Sequence, residues 1–209
     1  MRKLFILPLL IMLVALFIGC NTEEEIELSK PLPGPSNIRV KAESPRAISI
    51  SFEPVDGASS YIIYWGEIGG YDDGTQKVYK SYSLSYPYRI SHSFKPGTEY
   101  SLQVQSVDSS GKLHGISDGG YVTTWIPAPN IYLTPLSSKS FAIHIESEVL
   151  TLFNITVDGK LFKGNVAIGP NSPFAESYTT TTTGLHLVKV CATRSEPHAE
   201  EGIATVNLK

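Results

Sequence analysis

Short runs in which apolar and polar residues alternate, separated by clusters of Gly, Pro, Asp and Ser, recur from about residue 36 to the end of the chain. Period-two alternation over four to eight residues marks a strand with one buried face, and many such runs with turn residues between them mark an antiparallel β-fold. In Ala47-Ile48-Ser49-Ile50-Ser51-Phe52 the even positions share one face and the serines take the other. Tyr61-Ile62-Ile63-Tyr64-Trp65 follows the turn-like Val55-Asp56-Gly57-Ala58, a hairpin arrangement. Further on, Phe141, Ile143 and Ile145 alternate with polar neighbours, as do Phe153, Ile155 and Val157, and Asp158-Gly159 predicts a tight hairpin turn into Lys160-Leu161-Phe162. Gly184 to Ala192 and Ile203 to Leu208 close the series, with Val188, Val190 and Ala192 predicted to face inward and Leu185, Leu187 and Cys191 outward. Almost no helix is expected after residue 30.

Composition supports that pattern. The 209 residues include 11 tyrosines, and aromatic and hydroxylated side chains suit a pleated, half-buried surface. The length allows one large domain or two small ones, and Trp125-Ile126-Pro127-Ala128-Pro129 is a stiff break between two sets of strands. The chain carries 17 basic and 20 acidic residues, a net charge of −3; without Arg2 and Lys3 the balance is 15 to 20, or −5. That excess of acid argues against a nucleic-acid partner, which needs a basic stripe to displace counterions from phosphate.

The first thirty residues have a different character. Arg2 and Lys3 precede the apolar stretch Leu4 to Phe17, interrupted by Pro8, which is the layout of an export signal and is short for a bilayer span of about 20 residues. The stretch ends in Phe17-Ile18-Gly19-Cys20, which resembles the lipobox of bacterial lipoproteins, with Gly19 in the small position and Cys20 in the modified one. The resemblance implies removal of residues 1–19 as a signal peptide, a diacylglyceryl thioether on Cys20, and residence in the cell envelope. Asn21 after the cysteine, rather than aspartate, favours the outer membrane where a cell has two. Residues 20–32 then form an acylated tether whose four glutamates and Pro/Gly-rich end predict a solvated linker. Extended at roughly 3.3 Å per residue, it holds the folded part up to about 40 Å from the bilayer.

Residues 33–124 resemble a fibronectin type III domain. Phe94-Lys95-Pro96-Gly97-Thr98-Glu99-Tyr100-Ser101-Leu102-Gln103-Val104 through Asp108 carries the likeness, with Pro33-Gly34-Pro35 ahead of it and Tyr121-Val122-Thr123-Thr124 behind. The resemblance implies that the Tyr100 hydroxyl bonds upstream backbone while its ring covers the core, that Leu102, Val104 and Ser106 share its parity, and that Phe52 serves as the aromatic core plug. Residues 125–209 resemble an immunoglobulin-like β-sandwich of bacterial surface proteins through the closing pair of strands, with His186 where such domains often have tyrosine. The expected fold is therefore all-β, two tandem β-sandwich domains, fibronectin type III and then immunoglobulin-like, after a signal peptide and short linker.

The sequence shows little chemistry. The histidines at 92, 114, 144, 186 and 198 lack a paired metal-ligand spacing, and no nucleophile elbow, phosphate loop or dinucleotide fingerprint is present. The expectation is a protein without cofactor or metal and without catalysis. Cys191 is expected to be an inert small hydrophobe, and the acids around His198 a solvated turn. The longest candidate binding loop is Gly66 to Thr75, where Tyr71, between glycines and paired acids, offers a ring to a sugar or carboxylates to a cation, and which a flexible turn explains equally. Tyr82, with Tyr86 and Tyr88, shares a strand parity that predicts either an aromatic strip or core filling. The functional expectation is a lipid-anchored envelope protein presenting β-sandwiches for protein recognition, adhesion or spacing; the alternative is a carbohydrate-binding accessory lipoprotein with Tyr71 and Tyr82 as contacts.

Overall fold

A computed structural model of the chain describes residues 30–79, 87–194 and 197–209. Cys20, Tyr82 and Tyr86 lie outside the described residues. Leu32–Lys209 forms one compact unit. Every regular element among its described residues is a β-strand.

The first set of strands makes two sheets. β1 (Ser36–Ser44), β2 (Ala47–Glu53) and β5 (Tyr88–Arg89) form one, in the order β1-β2-β5. β4 (Asp73–Tyr79), β3 (Ser60–Glu67), β6 (Glu99–Val107) and β7 (Leu113–Ile116) form the other in that order, with β8 (Gly120–Thr123) also paired to β6. All named pairs are antiparallel. Between the sheets lies a core of Ile48, Ile50, Phe52, Tyr61, Ile63, Trp65, Phe94, Tyr100, Leu102 and Val104. The alternation puts them there, since residues i and i+2 of a strand share a face. Phe52 meets Tyr61 edge-on at 4.9 Å, so the phenyl ring fills the plug position.

Ser49 departs from the simple two-face expectation. It is buried, because β2 is the central strand and Glu43 on β1 folds over it; the Ser49 hydroxyl donates to Glu43 Oε1 at 2.8 Å and to the Lys41 carbonyl. The start of the body is stitched onto β7. Leu32 N–H donates to His114 Nδ1 at 3.2 Å, Gly115 N–H donates to the Leu32 carbonyl at 3.0 Å, and the Ser106 hydroxyl donates to the Pro33 carbonyl. The approach is so close that a Cβ on Gly115 would strike the Pro33–Gly34 backbone. His114 Nε2 in turn donates to Asp108 at 2.8 Å, since the acceptor role of Nδ1 leaves the proton on Nε2. Asp108 is held well below the ordinary carboxylate range, first by its bond from Ser110 and then by that from His114.

The second set repeats the plan. β9 (Asn130–Ser137), β10 (Ser140–Glu146) and β13 (Phe174–Thr179) form a three-stranded sheet in the order β13-β10-β9, and β12 (Lys160–Ile168), β11 (Thr151–Val157), β14 (Gly184–Ala192) and β15 (Gly202–Leu208) form a four-stranded one in the order β12-β11-β14-β15. Its core holds Phe141, Ile143, Ile145, Phe153, Ile155, Val157, Val188 and Val190, together with Ile126. Leu185 and Leu187 face solvent, and Ala192 packs on the core. The hairpin at Asp158-Gly159 has φ of 49° and 77°, the pair of positive angles that a two-residue type I′ turn demands.

The segment around His198 is more than a solvated turn. Ile126 N–H donates to the His198 carbonyl at 2.9 Å, Glu200 N–H donates to the Ile126 carbonyl at 2.9 Å, and the Trp125 and His198 rings lie 4.4 Å apart. The chain entering the second core is thus pinned by the strand connection that leads into β15.

Candidate functional site

The loop between β3 and β4 has two carboxylates at its base. Trp65 points into the core, so Glu67, two residues on, shares its parity and is carried to the end of the same sheet face. There Glu67 Oε2 accepts from Tyr71 N–H at 3.2 Å, Asp72 N–H at 3.1 Å and Lys95 Nζ at 2.7 Å. The Lys95 bond, with smaller help from the loop amides, holds the Glu67 carboxyl below its usual range despite the opposing effect of burial. The absent side chain of Gly70 leaves room for the Glu67 carboxylate, which a Cβ there would push off the loop amides.

Asp72 is the second anchor. Burial pushes its pKa up, but the Tyr100 hydroxyl at 2.6 Å and His92 Nε2 at 3.0 Å both bond to it and together bring it below the ordinary value. A carboxylate only accepts, so His92 carries a proton on Nε2. The His92 ring sits 5.2 Å from Trp65 and 4.7 Å from Phe94. Tyr100 also accepts from Lys95 N–H at 2.9 Å, five residues upstream, which is the corner expected of it. Its own ionisation is pushed far up, by burial first and by Asp72 next.

This frame leaves the Tyr71 ring 99% exposed and Ile68 beside it 49% exposed. The backbone at the base of the loop is tied, while the ring it carries touches nothing. The arrangement can present an aromatic surface. It is poorly suited to proton transfer, since both carboxylates are low and already bonded, and Tyr100 is buried and hard to ionise. No group of three or more His, Cys, Asp and Glu able to hold a metal occurs among the described residues.

The structure does not bring the other expected contact, Tyr82, into view. Tyr88 packs on the first core and accepts from Gln76 Nε2 at 2.6 Å. Cys191 is half-buried; its thiol lies 3.5 Å from Glu201 Oε1, and burial, then Glu201, push its pKa up against the pull of Lys189. In the second sandwich His186 takes the place of the buried tyrosine. Its Nδ1 bonds Asp158 of the β11–β12 turn at 2.7 Å, its ring stacks on Phe141 at 5.9 Å, and its Nε2 is buried without a partner. Both sandwiches therefore tie an aspartate from the turn after their third strand to a buried ring.

Sequence reasoning passed over Glu67 and His92. The available signal was parity: a glutamate in phase with an inward tryptophan has to find a donor at the sheet end, and Lys95 is the donor it finds.

No family model and no curated protein sequence matches the chain. Solved structures do. A two-domain fibronectin type III segment from chicken tenascin aligns with 83% of this chain and 98% of its own, with a TM-score of 0.58 and 11% identity. The fifth fibronectin domain of Drosophila Lar covers 46% of this chain at 22% identity and a TM-score of 0.37, spanning 97% of its own length. A fibronectin type III domain of human collagen XX covers 44% at 23% identity and 0.38, spanning 92% of its own. With the topology above, the tenascin alignment defines the fold of the chain as all-β, in tandem sandwiches of the fibronectin type III kind.

Proposed function

We propose that this is a lipid-anchored bacterial envelope protein, without catalytic activity, that holds two β-sandwiches away from a membrane so that their surfaces recognise another macromolecule or space one from the bilayer. Residues 1–19 are the signal peptide, Cys20 bears the lipid, 20–32 are the tether, 33–124 the fibronectin type III domain and 125–209 an immunoglobulin-like domain. The outer membrane is the favoured location in a cell with two. The observation that carries the reading is one of order: a charged start, an apolar run ending at Cys20, an acidic linker, and a compact body that begins at Leu32, the last residue of that linker. Each buried methylene of an acyl chain contributes about 0.8 kcal/mol, and two or more chains make attachment stable.

Fold alone assigns no ligand. The test is to express the full chain in a diderm bacterium with labelled palmitate. Label should enter the wild type and not Cys20→Ala, and the wild type should partition into the detergent-rich phase. A mature protein that starts at Met1, or that stays in the aqueous phase without label, would overturn the anchoring.

A further inference from the structure

The outward face of the sheet containing β3, β6 and β8 carries an opening built from side chains far apart in sequence. In the antiparallel register Gly66 pairs with Ser101, and Ser101 with Tyr121. One row along, Tyr64 pairs with Gln103. Paired residues project from the same face. Trp65 and Leu102, at the intervening positions, fill the core, so these five side-chain positions face out. Gly66 has no side chain to cover its neighbours, and the result is a notch of about 210 Å³ lined by Tyr64, Trp65, Gly66, Ser101 and Gln103. Tyr121, 68% exposed, stands beyond Ser101, two strand spacings or about 10 Å from Gly66.

Two properties set the notch apart from ordinary sheet surface. The Tyr64 ring is fixed in advance: its hydroxyl donates to Gln105 Oε1 at 2.7 Å, and Gln105 Nε2 donates to the His114 carbonyl at 2.8 Å. A ring already held in place costs a ligand little ordering entropy. The polar groups are neutral and available. Gln103 is exposed, with no hydrogen bond to the described residues, and Ser101 makes only a long bond of 3.4 Å to the Gly66 carbonyl. The charges on this face stand to the side and carry both signs: Asp73 and Lys77 on the edge strand β4, opposite Gly66 and Ile62, and Glu99 two residues before Ser101.

These features select among ligands. A protein hot spot wants a fully desolvated apolar centre, whereas here Ser101 and Gln103 place neutral polar groups in the notch itself, beside Tyr64 and the edge of Trp65. A polyanion would meet the carboxylates of Asp73 and Glu99 against Lys77, a margin without net positive charge. A sugar ring offers an apolar C–H face to an aromatic and hydroxyls to an amide, which matches what is present. We propose that the notch between Tyr64 and Tyr121 binds a neutral glycan chain. The site rests on the reading of this chain as a non-catalytic binding protein, and it is separate from the Tyr71 loop.

The test uses the full chain in detergent micelles, run through gels containing xyloglucan, mixed-linkage β-glucan, arabinoxylan, galactomannan or dextran, with heparin as the anionic comparison. At least one neutral polysaccharide should retard the protein. Tyr121→Ala should weaken that binding about tenfold, Tyr121→Phe should retain it, Gln103→Ala should weaken it severalfold, and Tyr71→Ala should leave it unchanged. Gln103 is exposed, so its variant decides the matter if Tyr121→Ala fails to fold. Retardation by none of the five, by heparin alone, or equally in wild type, Tyr121→Ala and Gln103→Ala overturns the site, as does loss on Tyr71→Ala in its place. Capture of a protein through Tyr121 with no glycan bound also overturns it. Lipid label and detergent partition are read on the same preparation, so an anchored protein that ignores every glycan refutes this site and leaves the anchoring intact.

Discussion

Replacing Tyr100 by phenylalanine keeps the ring and removes one oxygen, and that oxygen joins two parts of the first sandwich. The ring is fully buried and meets Phe94 at 4.9 Å, so the substitution opens no cavity and its cost is that of the lost bonds. Lys95 N–H loses its acceptor at 2.9 Å; a buried donor left unpaired costs about 1–3 kcal/mol. Asp72 loses the donor at 2.6 Å and retains His92; a hydrogen bond to a charged group contributes about 1.5–3 kcal/mol. The two share one oxygen and do not add fully, which puts the loss at roughly 3 kcal/mol. The assay is urea unfolding followed by tryptophan fluorescence, since Trp65 lies in the first core. With a slope of about 1–3 kcal/mol per molar, the midpoint should fall by about 1–3 M. Tyr61→Phe, which removes the bond from Val55 N–H at 2.8 Å, should cost about half as much. The pH dependence supplies a second readout. Asp72 is held below its ordinary value of 3.8, so its contribution is present above that pH and is lost as pH falls through the lowered folded value. In Tyr100→Phe the Asp72 value should move back toward 3.8, and the gap between variant and wild type should narrow in that acid window. A midpoint within about 0.3 M of wild type, or a gap that widens with acid, would refute the reasoning.

Other substitutions probe the remaining elements. Phe141→Ala, in the centre of the second core, should cost about 3–5 kcal/mol in urea unfolding read through Trp125, which stacks on His198 beside that core; His186→Phe keeps a ring beside Phe141 and removes an unpartnered buried nitrogen but loses the bond to Asp158, so it should cost less than Phe141→Ala, about 1–2 kcal/mol. Gly115→Ala should lift the Leu32–Gly34 segment off β7 because the new Cβ meets its backbone; hydrogen exchange at Leu32 should accelerate at least tenfold, and unchanged protection there would show the close approach to be unimportant. Cys191 should react with iodoacetamide more slowly than a free thiol at pH 8, because burial and Glu201 raise its pKa and the thiolate is the reactive form; labelling as fast as glutathione would contradict that.

What could be read in the chain was whatever depends on near neighbours. Alternation placed Ile48, Ile50, Phe141, Ile143, Phe153 and Val188 inside, and all are buried, because the period of a strand is set by its own backbone. Asp158-Gly159 specified its turn through two positive φ angles that few residue pairs adopt. The tyrosine at 100 carried its role with it, since the upstream bond spans only five residues. Ser49 was misplaced by the same local reasoning: which face of β2 is covered depends on Glu43 and on β2 being central, and neither is visible in AISISF.

Binding surfaces belong to the other class. Tyr71 could be singled out as a ring between glycines, but the clamp beneath it needs Lys95 and His92, which the fold brings from a separate stretch of chain to Glu67 and Asp72. Tyr64, Ser101 and Tyr121 meet across three strands, and Leu32 lies on β7 because Gly115 and Gly34 permit it. The sequence by itself determined the strands, their inward faces, the hairpins and the export-like start. Strand order and register decided everything that depends on which outward side chains become neighbours, because a contact across a sheet is set by how two sheets pack their inner faces, and that packing energy is summed over the whole core and written in no single stretch of residues.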